Sequence, residues 1–79
     1  MNTIQENWDS FNALVIPKNA DAIQRQEMRK AFYAGAGVML NIFWAIGDKS
    51  ISEEAGLDIL EGCSEEINMF VKQIQNGSA

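Results

Sequence analysis

Four cations crowd one short stretch of the chain: Lys18, Arg25, Arg29 and Lys30 hold four of the six positive charges within thirteen residues. Arg25 and Arg29 stand one helical turn apart, and a guanidinium fork suits bidentate pairing with phosphate or carboxylate. The free N–H groups of a helix N-terminus beside them also favour anions. With Tyr33 one turn further on, this is the candidate anion or ligand site. The plain alternative is a solvated helical face with Asp21 and Glu27 as local partners.

A second pattern is acidic. Glu54, Asp58, Glu61 and Glu65 recur at +4, +3 and +4, with no basic residue interleaved, so like charges oppose one another along one helical face. A basic partner would satisfy this stripe, as would the basic end of a second protomer; simple solvation is the alternative. As a divalent-cation site it is poor, because neither an acidic EF-hand loop nor a histidine accompanies it. The chain has no histidine and one cysteine, which removes the commonest general base and the commonest zinc ligand. Cys63 falls where a small apolar side chain packs. No metal, no cofactor and no enzymatic activity are expected.

Eleven acidic residues against six basic give a net charge of -5, which opposes binding to nucleic acid or to an anionic membrane surface. No apolar run approaches the roughly 18 residues of a membrane span, and the first ten residues have no basic region leading into a hydrophobic one. The expected location is a reducing cytoplasm.

The elements that must position these groups are helical. Thr3 and Glu6 form a capping-box pattern, and Ile4, Trp8, Phe11 and Val15 share one face, so a first helix is expected over about 4–14. Pro17 breaks it, making Val15 to Lys18 an extended connector. Asn19 is expected to cap a long helix over about 20–46. Its residues Met28, Phe32, Gly35, Met39, Ile42 and Ile46 follow a 4-3-4-3-4 seam. A last helix over about 53–76, capped by Ser50 or Ser52, carries the same spacing in Gly56, Leu60, Cys63, Ile67, Phe70 and Ile74. Gly77 is its expected stop, with Ser78 and Ala79 fraying. Two seams of equal length make an antiparallel helical hairpin, with Ile46 near Gly56 and Met28 near Ile74. The expected fold is therefore all-α, one domain over 1–79.

The hairpin leaves apolar groups over. At 79 residues a chain buries only about 60% of its unfolded surface, and Tyr33, Val38, Leu40, Phe43 and Trp44 lie off the seam. Trp8, Phe11, Leu40, Asn41, Phe43 and Trp44 are the expected oligomer or partner interface, in a homo-oligomeric bundle. Asn41, an amide within an apolar run, would set register there or bind a ligand. The aromatics are also able to stack on a planar ligand, although at helical spacing they are more often core. Ala31, Ala34, Gly35, Ala36 and Gly37 add a small-residue patch. Glycine inside a helix costs about 1 kcal/mol relative to alanine, a cost that close approach of another backbone would offset.

The segment Gln26 to Ala36, QEMRKAFYAGA, resembles a motif of small uncharacterised phage and prophage proteins, in which a Trp-containing segment and a Pro precede the motif and an acidic helix follows it. The resemblance implies an accessory gene product of a bacterial virus, acting in the host cell cytoplasm. Proteins of this size and origin often act by binding, so the expectation is inhibition of a host defence system through a host protein or a signal. In architecture alone the arrangement is similar to small helical viral sponge proteins that trap nucleotide-derived messengers. That implies a second possibility, an oligomeric sponge for such a signal. A generic helical interaction module is the third.

Overall fold

The computed structural model describes residues 3–79. Among these the chain is all-helical, with three helices and no strand: α1 (Ile4–Leu14), α2 (Ala22–Ile46) and α3 (Glu53–Gln75). Two compact units, Met1–Ile42 and Phe43–Ala79, divide it within α2.

In the first unit, α1 begins with a complete capping box. Glu6 N donates to Thr3 Oγ1 at 3.1 Å, and Thr3 N donates to Glu6 Oε1 at 3.2 Å, so two otherwise orphaned N–H groups are satisfied reciprocally. The apolar face of α1 then packs antiparallel on the first half of α2. The Trp8 and Phe11 rings each lie 5.5 Å from the Phe32 ring and 5.9 Å from each other. Trp8 is 5% exposed. Trp8 is therefore an internal contact of this unit and not the oligomer surface expected of it, because its ring is spent on Phe32, while Phe11, half-buried, shares that contact.

The connector departs from the extended form expected over Val15 to Lys18. Val15 N donates to Phe11 O at 2.9 Å, and Ala20 N donates to Pro17 O at 3.1 Å, closing a turn. Ile16 between them is 4% exposed, the second buried hydrophobic residue among those described. Pro17 disfavours helical backbone at Ile16, and at that break the isoleucine is tucked inward. Asp21, not Asn19, begins α2: Gln24 N donates to Asp21 Oδ1 at 2.7 Å. The turn from Pro17 to Ala20 delays the helix by two residues, and the carboxylate also complements the positive end of the helix dipole.

In the second unit, the loop after α2 is held by Asp48, whose Oδ1 accepts from Ser50 N at 2.9 Å and Ser50 Oγ at 2.7 Å. Ser50 being so engaged, Ser52 caps α3, accepting from Ala55 N at 3.1 Å. Ile46 meets the start of α3, where Gly56 is buried; a Cβ on Gly56 would lie 2.7 Å from Ile46 Cγ2. At the other end Gly77 has a φ of 77°. Ser78 N bonds Gln73 O at 2.9 Å and Gly77 N bonds Ile74 O at 3.2 Å. That pair of bonds is a Schellman motif, and it ties down Ser78, which was expected to fray.

Two outcomes are expected of these contacts. Gly56→Ala destabilises the protein by about 1–3 kcal/mol through overpacking, whereas Gly62→Ala, with nothing within 4 Å of the added Cβ, stabilises it by about 0.5–1 kcal/mol. Denaturant unfolding checks both, and equal responses of the two glycines would deny the Ile46 contact. The Asp48 carboxyl is held below its ordinary range by the Ser50 backbone N–H and then by the Ser50 hydroxyl. Its stabilising effect is thus present above the unfolded carboxylate pKa and lost as pH falls through the lowered folded value. An NMR titration of Asp48 with a midpoint no lower than in the unfolded chain would contradict this.

Candidate functional site

The basic stretch does two different things. Arg25 faces α1 and the connector: its Nη2 donates to Pro17 O at 2.8 Å and its Nη1 to Asn12 Oδ1. It is half-buried and acts as a strut joining α1, the turn and α2, so it is not free to pair with Arg29 around an anion as the one-turn spacing suggested. Lys18 is exposed in the turn and does not line the depression described next.

Arg29, Lys30 and Tyr33 are brought together. With Gln26 they line a shallow depression of about 380 Å³ on one face of α2. The Arg29 guanidinium sits 5.4 Å from the centre of the Tyr33 ring, a cation–π arrangement that also keeps the side chain extended over the surface. Arg29 Nη2 donates to Gln5 Oε1 at 2.7 Å, and Tyr33 Oη donates to the same oxygen at 2.9 Å. Gln5 Nε2 in turn donates to Asp9 Oδ1 at 2.8 Å. One amide of α1 thereby orients both ligand-type groups of α2. Nothing in the spacing of Gln5 marked it, because its role exists only once Trp8 has docked α1 on α2.

The electrostatics of this face are one-sided. The hydrogen-bond partners of Arg25 and Arg29 are neutral oxygens, which satisfy donors without cancelling charge. Among the described residues the one ion pair is Lys30 with Glu27 at 3.2 Å, well exposed on both sides, and such a pair is worth at most about 1 kcal/mol. Arg29 uses one of its five N–H donors on Gln5, leaving others for an anion. The arrangement can hold a small anionic group beside an aromatic ring.

The other candidates lie on exposed surface. Glu54, Asp58, Glu61 and Glu65 are all exposed; among the described residues no group of three His, Cys, Asp or Glu converges to hold a metal ion. Leu40, Phe43 and Trp44 are exposed, Trp44 at 73%. Asn41 is exposed as well, so water satisfies its amide. Cys63 is half-buried. Gly35 and Gly37 have nothing within 4 Å of where a Cβ would stand, so no described residue of their own unit makes the close backbone approach expected to offset them. No described helix is long and apolar enough to cross a membrane.

What fold and surface define is an all-helical protein carrying a basic, aromatic-edged depression on one helix and uncovered apolar groups on two. No protein-family model, no curated protein and no solved structure matches the chain.

The strut and the exposed pair should separate cleanly on mutation. Arg25→Ala is expected to lower stability by about 1.5–3 kcal/mol, the scale for hydrogen bonds to a charged group with partly buried partners, while Lys30→Ala changes it by less than about 0.5 kcal/mol. Chemical denaturation of the two variants checks the contrast.

Proposed function

We propose that this chain is a non-enzymatic binding protein that works as a homo-oligomer. The observation that carries the reading is uncovered apolar surface. Leu40, Phe43 and Trp44 on α2, and Leu57, Ile67, Met69, Phe70 and Ile74 on α3, are each more than half exposed. In this reading α2 and α3 are the arms of an antiparallel hairpin within a helical bundle, and Leu40, Asn41, Phe43 and Trp44 meet another chain. Sedimentation equilibrium is expected to give a multiple of the 8.8 kDa chain mass. A monomer that binds no hydrophobic dye would overturn the reading.

The resemblance of Gln26 to Ala36 to phage and prophage proteins supports placing this binding in an infected bacterium, where the chain would inhibit a host defence system by occupying a protein or a signal. The acidic stripe Glu54, Asp58, Glu61 and Glu65 suits a basic host surface. Expressing the chain in bacteria that carry a defence system should raise the plating efficiency of a restricted phage. No rise across a panel of such systems would remove the proposal.

A second reading, a sponge for a nucleotide-derived signal, is favoured by one specific observation, the convergence of Arg29, Lys30 and Tyr33 on one depression. Phosphate would sit between Arg29 and Lys30, with the base against the Tyr33 ring. A thermal-shift panel of cyclic nucleotides and ADP-ribose derivatives should find a ligand whose stabilisation disappears in Lys30→Ala. A panel with no shift would end this reading.

A further inference from the structure

The end of α3 carries the one Asn–Gly step in the chain, Asn76–Gly77. Glycine has no Cβ to crowd its own nitrogen and turns freely in φ and ψ, so this is the pairing in which a backbone nitrogen most easily reaches the preceding carboxamide. In that reaction the Gly77 nitrogen attacks Asn76 Cγ, a C–N bond forms and the bond from Cγ to the amide nitrogen breaks. Ammonia leaves with the proton that Gly77 N gives up, and a five-membered cyclic imide remains. Water then opens the ring at either carbonyl. One opening gives aspartate on an ordinary backbone; the other gives isoaspartate, whose main chain runs through Cβ and Cγ. Water is the only co-reactant.

The folded chain keeps the two reacting groups apart. Ring closure needs the Gly77 nitrogen to swing until it eclipses the Asn76 Cα–Cβ bond. At the Asn76 ψ of 6° it nearly eclipses the Asn76 nitrogen, one tetrahedral position away from Cβ. That ψ is fixed by the Schellman motif: Gly77 N donates to Ile74 O at 3.2 Å and Ser78 N to Gln73 O at 2.9 Å. Gly77 completes it at a φ of 77°, which glycine adopts without strain. The proton that Gly77 N must lose is therefore engaged by Ile74 O. The carboxamide is held as well, because Asn76 Oδ1 accepts from Ser78 Oγ at 2.6 Å and from Ser78 N at 3.2 Å. All these contacts lie between Gln73 and Ser78, so the arrangement is local to one helix end.

We propose that Asn76 is a self-modification site governed by this cap. While the cap is closed, imide formation is suppressed; when the last turn of α3 opens, ψ is released, Gly77 N loses its acceptor and the reaction proceeds. Helix ends open locally at low cost, so the site records how often this one does. The record is one-way. Either product places a carboxylate at the helix C-terminus, where the macrodipole disfavours negative charge. Isoaspartate also lengthens the backbone inside the turn, so that Gly77 N and Ser78 N no longer reach Ile74 O and Gln73 O together.

The test incubates the full chain in neutral buffer, folded and in guanidinium chloride, and follows each asparagine by peptide mass mapping, with enzymatic methylation of isoaspartate as a second readout. In denaturant Asn76 is expected to convert ahead of every other asparagine. In the folded chain its conversion is slower by about fivefold or more, the factor that a modest local opening equilibrium imposes. Gln75→Pro withdraws an N–H from the last turn and leaves residues 76–78 unchanged. It is expected to raise the folded-state rate toward the denatured one without altering the denatured rate. Gln75→Gly, milder in a helix, serves if the proline variant does not fold. Failure of Asn76 to convert first in denaturant overturns the site. Equal rates in the folded and denatured chain, or a folded-state rate that neither Gln75 variant raises, overturn its control by the cap.

Discussion

The indole of Trp8 meets the Phe32 ring edge-on, with Phe11 closing the triangle, and the N-terminal unit is built outward from that contact. An isolated helix of eleven residues is marginal in water, so α1 depends on this docking more than on its own propensity. Once α1 is docked, Gln5 comes within reach of Arg29 and Tyr33, and Asn12 within reach of Arg25. Ile16 fills the corner that the Pro17 break creates. The exposed contacts of Gln5 follow from the aromatic ones, since hydrogen bonds at exposed sites contribute little net stability and serve here to orient Arg29 and Tyr33, whereas the half-buried Arg25 strut also stabilises the frame.

That order explains why four neighbouring cations end with different roles. Arg25 lies beside the connector and becomes part of the frame. Arg29 lies one turn along, beside the end of α1, and is held over Tyr33 with most of its donors unused. Lys30 points to the surface with Glu27, and Lys18 stays in the turn. The positive charge of the stretch is left largely uncancelled because its fixed partners are amide and carbonyl oxygens, which accept hydrogen bonds but bring no negative charge. Among the described residues the acidic stripe of α3 likewise makes no ion pair. In both units, then, charge and apolar surface are displayed more than they are used.

Much of the local structure was legible in the residues. The Thr3 and Glu6 capping box, the stop at Gly77 and the three helices depend on contacts within a few residues, which spacing reveals. Where two local solutions competed, spacing could not decide. Asp21 displaced Asn19 because the turn from Pro17 to Ala20 consumed the intervening residues, and Ser52 served as the cap because Asp48 engaged Ser50. The candidate site was legible in part: Arg29, Lys30 and Tyr33 share a helical face, which periodicity makes visible. Gln26 shares that face and was passed over, and Gln5 was hidden because it lies on another helix.

The sequence by itself determined that this is a helical protein, where its helices begin and end to within a turn, and that its acidic charge outweighs its basic charge. Those properties follow from periodicity, capping chemistry and composition, which are local or additive. Only the tertiary structure decided that Trp8 is buried against Phe32 with Phe11 beside it, that Arg25 is a strut, and that Gln5 orients Arg29 and Tyr33. Each of these depends on which of several equally apolar faces packs first, and helical spacing is the same for every candidate neighbour.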